Sequence, residues 1–130
     1  MTKTESKEYI ITQLTNKAAE LAPSGYEGYV FAKHQEKDFS VTMSFGGNGV
    51  SVFVKAQIYG TGNVRVAARV TKGKKDAPET VYDHADMIYF YKDINTKTDI
   101  KRWCVEKFAK KAGDALAVFA AEQAKAGRFV

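Results

Sequence analysis

A single cysteine, Cys104, in 130 residues leaves the chain without an internal disulfide or a cysteine-built zinc site. Such scarcity fits a reducing compartment. No apolar run approaches the about 20 residues that span a bilayer. Residues 1–10, MTKTESKEYI, lack the apolar core of a secretion signal, so a cytoplasmic protein with no membrane partner is expected. Proline occurs only twice, and neither a low-complexity tract nor a linker interrupts the chain. A single domain over residues 1–130 follows, large enough to bury roughly two-thirds of its unfolded surface without a metal or a cofactor. Acid is also in deficit. The 20 Lys and Arg residues outnumber 15 Asp and Glu, which gives a net charge of +5 and favours acidic partners.

Catalytic motifs are missing too. The glycines at 46, 47, 49, 60 and 62 fall between strand-like segments rather than at a strand-to-helix junction, so they read as turns and not as a phosphate loop. Neither a Ser-His-Asp elbow nor an H-E-x-x-H spacing is present. Asp83, His84 and Asp86 form the one cluster with acid-base or ligand character. On a strand, Asp83 points away from the face that His84 and Asp86 share, and His34 would have to join from a distant loop. Neither an enzyme nor a metal site is expected. Cys104 reads as a core residue.

What the chain has in plenty is β patterning. Residues 50–71, VSVFVKAQIYGTGNVRVAARVT, alternate with period two on either side of Gly60-Thr61-Gly62-Asn63. One face is aliphatic, from Val50 to Ile58 and from Val64 to Val70. The other mixes rings with cations. Residues 38–45 alternate as cleanly, with Phe39, Val41, Met43 and Phe45 against Ser40, Thr42 and Ser44. Residues 26–34 have β composition but apolar side chains on both faces, so their inward face stays undecided between Gly28, Val30, Ala32 and Tyr29, Phe31. Residues 79–92 read as a fifth strand, irregular around 83–86.

Helical periods flank the strands. Thr2 or Thr4 can cap a first helix that carries Ile10, Ile11, Leu14, Ala18, Leu21 and Ala22 on one side and ends at Pro23-Ser24-Gly25. A second helix is expected from about Thr98 to about Lys125, with Cys104, Val105, Phe108, Ala112, Ala115, Leu116 and Phe119 on one stripe. The expected fold class is α+β: an antiparallel meander of four to five strands flanked by an N-terminal and a long C-terminal helix. In organisation only, this resembles the Whirly single-stranded DNA-binding modules, and no motif carries the likeness.

Opposed residues of an antiparallel pair share a face, which constrains both turns. The aliphatic faces of residues 50–71 coincide only if the loop is odd: three residues, 61–63, with a bulge, or five. The preceding hairpin needs an even loop, through Gly47-Asn48. This register gathers Phe53, Lys55, Gln57, Tyr59, Arg65 and Arg69 on the outer face, and the Lys72, Lys74, Lys75 loop would extend the basic track.

Rings stack unpaired bases and interleaved cations follow phosphates, so these residues, Gln57 apart, are the candidate nucleic-acid-binding set for single-stranded DNA or RNA. Against this stands a sheet face simply covered by a helix or paired across strands. The alternative function is a protein-interaction or inhibitor module engaging a macromolecular partner. It would use Trp103, which falls off the helix's apolar stripe, and Leu116, Val118 and Ala121 in the Ala-rich end, where homodimerisation is also expected. A small-ligand pocket lined by Tyr82 and the aromatics at 89–91 is the third reading.

Overall fold

The computed structural model describes residues 3–35, 38–60, 63–73, 78–88 and 100–127. Helix α1, Lys3–Leu21, leads into strands β1 (Glu27–Gln35), β2 (Asp38–Gly47), β3 (Val50–Ile58), β4 (Val64–Lys72) and β5 (Glu79–Ile88). A π-helical segment, Ile100–Val105, then opens helix α2, Glu106–Gly127. The strands form one antiparallel sheet in sequence order, so the α+β meander expected from the patterning is the fold. Helix α1 lies over β1 and β2, and α2 over β3 and β4 with its flank on β5.

Both turn parities hold. Ile58 opposes Val64, which leaves a five-residue loop, and the Tyr59 N–H donates to the Asn63 carbonyl at 2.9 Å to carry the pairing one step further. The Asp38 carboxylate accepts from the Gly60 N–H at 2.8 Å and pins this loop to the start of β2. In the preceding hairpin Gly47 opposes Val50, so the two-residue turn is Asn48-Gly49 rather than Gly47-Asn48. Both turn residues have positive φ, 53° and 75°. An Asn-Gly pair adopts that conformation readily, and its twist matches the flanking strands.

Two further expectations need correction. The irregularity in β5 sits at Val81, not at 83–86: Val70 opposes Tyr82 while Thr71 opposes Thr80. The extra residue lets Val81 and Tyr82 both pack against the core, which strict alternation forbids. The second helix does not begin as a regular α-helix, because Ile100–Val105 is wound as a π-helix. Its expected start at Thr98, the last residues of the expected fifth strand (89–92) and the Thr2 cap lie outside the described residues.

The helices close one face only. Ile10, Leu14 and Ala18 from α1, and Cys104, Val105, Phe108, Ala112, Ala115 and Phe119 from the C-terminal helical region, meet the aliphatic faces of β2, β3 and β4 in one core. Leu116 packs at its margin. Fully burying each of the larger side chains, the Val, Leu, Ile, Met and Phe of this core, stabilises by about 1.5–3 kcal/mol. Side chains fill the layer between sheet and helices, with Phe108, Phe119, Ile10 and Leu14 among the largest wholly buried. Tyr82 packs against that layer, and residues 89–91 lie outside the described residues.

At one end, Gln123 clasps the β2–β3 turn. Its Nε2 donates to the Gly47 carbonyl at 2.6 Å, and its Oε1 accepts from Asn48 Nδ2 at 2.8 Å.

Candidate functional site

The register places the odd-numbered side chains of β1, β3 and β4 and the even-numbered ones of β2 on the face away from the helices. Three adjacent rows of it carry the exposed rings and most of its cations. Tyr29, Ser44, Phe53, Arg69 and Asp83 are successive partners in the first; Phe31, Thr42, Lys55, Ala67 and Ala85 in the second; Lys33, Ser40, Gln57, Arg65 and Met87 in the third. Tyr29 is 52% exposed, Phe31 42%, Phe53 40% and Met87 39%, and all four stand on this face. No described element covers it.

Phe53 therefore sits in the open, between Ser44 and Arg69. Tyr59, half-buried, follows β3 on the same parity. Lys55 is half-buried, whereas Arg65 and Arg69 are exposed. Thr42, flanked by Phe31 and Lys55, is only 5% exposed, because its long neighbours close over it. Among the described residues, Lys33, Lys55 and Arg65 make no ion pair, while Arg69 reaches Asp83 at 3.4 Å.

Sequence patterning missed Tyr29, Phe31, Lys33 and Met87. The Tyr29 and Phe31 rings lie 5.1 Å apart and are tilted by 45°. Their place follows from the register and not from patterning: Gln35 opposes Asp38, so Tyr29 shares the wet face of Ser44. Gly28 holds this strand close. A Cβ there would collide with the Ser44 carbonyl oxygen and with Phe45, so only glycine lets β1 lie against β2 at this point.

Lys72 belongs to the other face. It lies opposite Val50 and pairs with Glu122 at 3.3 Å and with Glu79 at 4.0 Å. Burial pushes the Glu122 carboxyl up, but hydrogen bonds from Lys125 and Lys72, with their charges, outweigh it and hold the group below the ordinary glutamate value. These residues, with Asn48, Gly49 and Val50, line a cavity of about 470 Å³ at the end of the sheet, away from Phe53. Lys74 and Lys75 lie outside the described residues, as does the side chain of Trp103. Leu116 and Val118 are half-buried against the chain's own core, and Ala121 is exposed.

The Asp83, His84, Asp86 cluster divides as strand geometry requires. Asp83 stands beside Arg69 on the open face, while His84 and Asp86 share the helix side with Tyr82, whose ring centroid is 4.7 Å from that of His84. Asp86 accepts from Lys111 at 2.9 Å, and this hydrogen bond outweighs the effect of burial and keeps its carboxyl below the usual aspartate value. Among the described residues, no group of three or more His, Cys, Asp or Glu side chains is placed to hold a metal ion. No described helix is long and apolar enough to cross a membrane.

The described residues form an α+β protein with one sheet face sealed by helices and the other, aromatic and basic, covered by no described element. Comparison with protein-family models, curated proteins and solved structures finds no match to the chain.

Proposed function

We propose that the chain is a non-enzymatic binding protein for single-stranded DNA or RNA and that the open sheet face is its binding surface. One observation carries this reading: three exposed rings and three cations without an ion-pair partner among the described residues share one face that no described element covers. A base stacked on an aromatic ring contributes about 1–3 kcal/mol, and cations near phosphates add affinity that falls with salt. The rival use of a sheet aromatic, as a floor for a packed helix, requires that face to be covered.

A protein partner is the second reading, favoured by the apolar side chains Tyr29, Phe31, Phe53 and Met87 on that face. Charged residues are depleted from the cores of protein interfaces. Lys55 in the middle of the patch and Arg69 beside Phe53 therefore suit a polyanion better. Homodimerisation through α2 has less to offer, because Leu116 and Val118 are partly spent on the chain's own core.

Fluorescence anisotropy with labelled oligonucleotides at low and moderate salt tests the proposal. Binding tighter than that of a control protein of equal net charge is expected, weakening as salt rises. Affinity no better than the control's, together with recovery of one stoichiometric protein partner insensitive to nuclease, replaces this reading with the second.

A further inference from the structure

Among the described strands, the rings of the open face lie in its first two rows, with cations among and beyond them. Its rings occupy only β1 and β3, with Tyr29 and Phe53 in one row and Phe31 in the next. The cations begin beside them: Arg69 next to Phe53, Lys55 in the second row, Lys33 and Arg65 in the third. Tyr29 and Phe31, in ring contact at 5.1 Å, make one platform. Phe53 is two strands further on, about 9–10 Å away at the usual interstrand spacing. Bases in a duplex repeat every ~3.4 Å along each strand, and their faces are already occupied by their neighbours. Platforms this far apart fit bases that have been unstacked and drawn apart.

Resting on the nucleic-acid reading above, we infer that the ligand is an unpaired polynucleotide strand that crosses the sheet at right angles to its β-strands, from β1 to β4. Separated bases lie on the Tyr29 and Phe31 platform and on Phe53, and the phosphates pass Lys55 and Arg69. Asp83 ends the track. Its carboxylate already holds Arg69 at 3.4 Å and repels a further phosphate, so β5 lies beyond the footprint. Three interstrand steps of ~4.8 Å separate β1 from β4, a distance that about three to four drawn-apart nucleotides span.

The test is anisotropy on the full chain with oligothymidylates and oligouridylates of two to twelve residues, a blunt duplex and an abasic strand of matched charge. The expected pattern has three parts: both single strands bind more tightly than the duplex, most of the affinity is gained by about four nucleotides, and Tyr29→Ala or Phe31→Ala weakens binding about tenfold or more. Those substitutions leave abasic-strand binding unchanged. Phe31→Leu, which keeps an apolar side chain but removes the ring, shows the same loss if stacking is the cause. Duplex bound as tightly as single strand, or ring variants that bind like the parent, overturns the crossing path while nucleic-acid binding stands. Failure of every polynucleotide to bind overturns both.

Discussion

Phe53 and Arg69 are direct partners across β3 and β4, a ring and a guanidinium side by side on the face the helices leave open. The pairing joins the two chemistries a polynucleotide needs, and Arg69 is also tied to Asp83. Both side chains of that ion pair are more than half exposed, so its contribution to stability is below about 1 kcal/mol. Its expected effect is on binding. Asp83→Asn should raise oligonucleotide affinity at low salt several-fold with almost no change in the urea midpoint. Arg69→Ala should lower it and reduce the slope of log affinity against log salt by about one. Equal slopes for parent and Arg69→Ala contradict a phosphate contact.

Gln123 predicts a stability effect. Its amide both donates to Gly47 and accepts from Asn48, with Gln123 itself 7% exposed. Gln123→Ala leaves partly buried polar groups unpaired and should cost about 1–3 kcal/mol in urea unfolding. Oligonucleotide binding should survive, because the clasp lies at the sheet's end. Gln123→Glu tests the same point, since it keeps an acceptor for Asn48 but loses the donor to Gly47.

Acid should weaken the fold through Glu122 and Asp86. Both carboxyls are held below their ordinary values when folded, so between the two sets of values the unfolded chain binds more protons. Their contribution is fully present above the ordinary carboxylate range of about 4–4.5 and is lost as pH falls through the depressed folded values. Urea midpoints measured from pH 7 to pH 3 should decline more steeply for the parent than for Glu122→Gln with Asp86→Asn. Identical pH dependence contradicts the assignment.

Gly28→Ala should lift β1 from β2, because the added methyl meets the Ser44 carbonyl and Phe45. A cost of about 1–3 kcal/mol is expected from such overpacking. Since Tyr29 and Phe31 ride on β1, oligonucleotide affinity should fall with stability. Unchanged affinity at a temperature where the variant is folded separates β1 from the site.

Most of the fold was legible in residues 38–72, because strict alternation fixes which face each side chain takes and parity then fixes the loops. Phe53, Lys55, Arg65 and Arg69 could be placed together on that argument alone. Tyr29 and Phe31 could not, since an edge strand beside few core residues carries apolar groups on both faces and period two loses its meaning. Lys72 was misleading for the opposite reason. It belongs to a basic run in sequence, but β4 extends to it, and its parity turns it toward Glu122. The Val81 bulge was invisible because Val81 and Tyr82 are both apolar enough to face the core.

The most direct measurement is an oligothymidylate titration of the parent against Phe53→Ala with Tyr59→Ala, over a range of salt. The double variant should bind at least tenfold more weakly while keeping the salt slope of the parent, because rings and not charges have been removed. Equal affinity for the two proteins contradicts the claim that this open face is where a nucleic-acid strand binds.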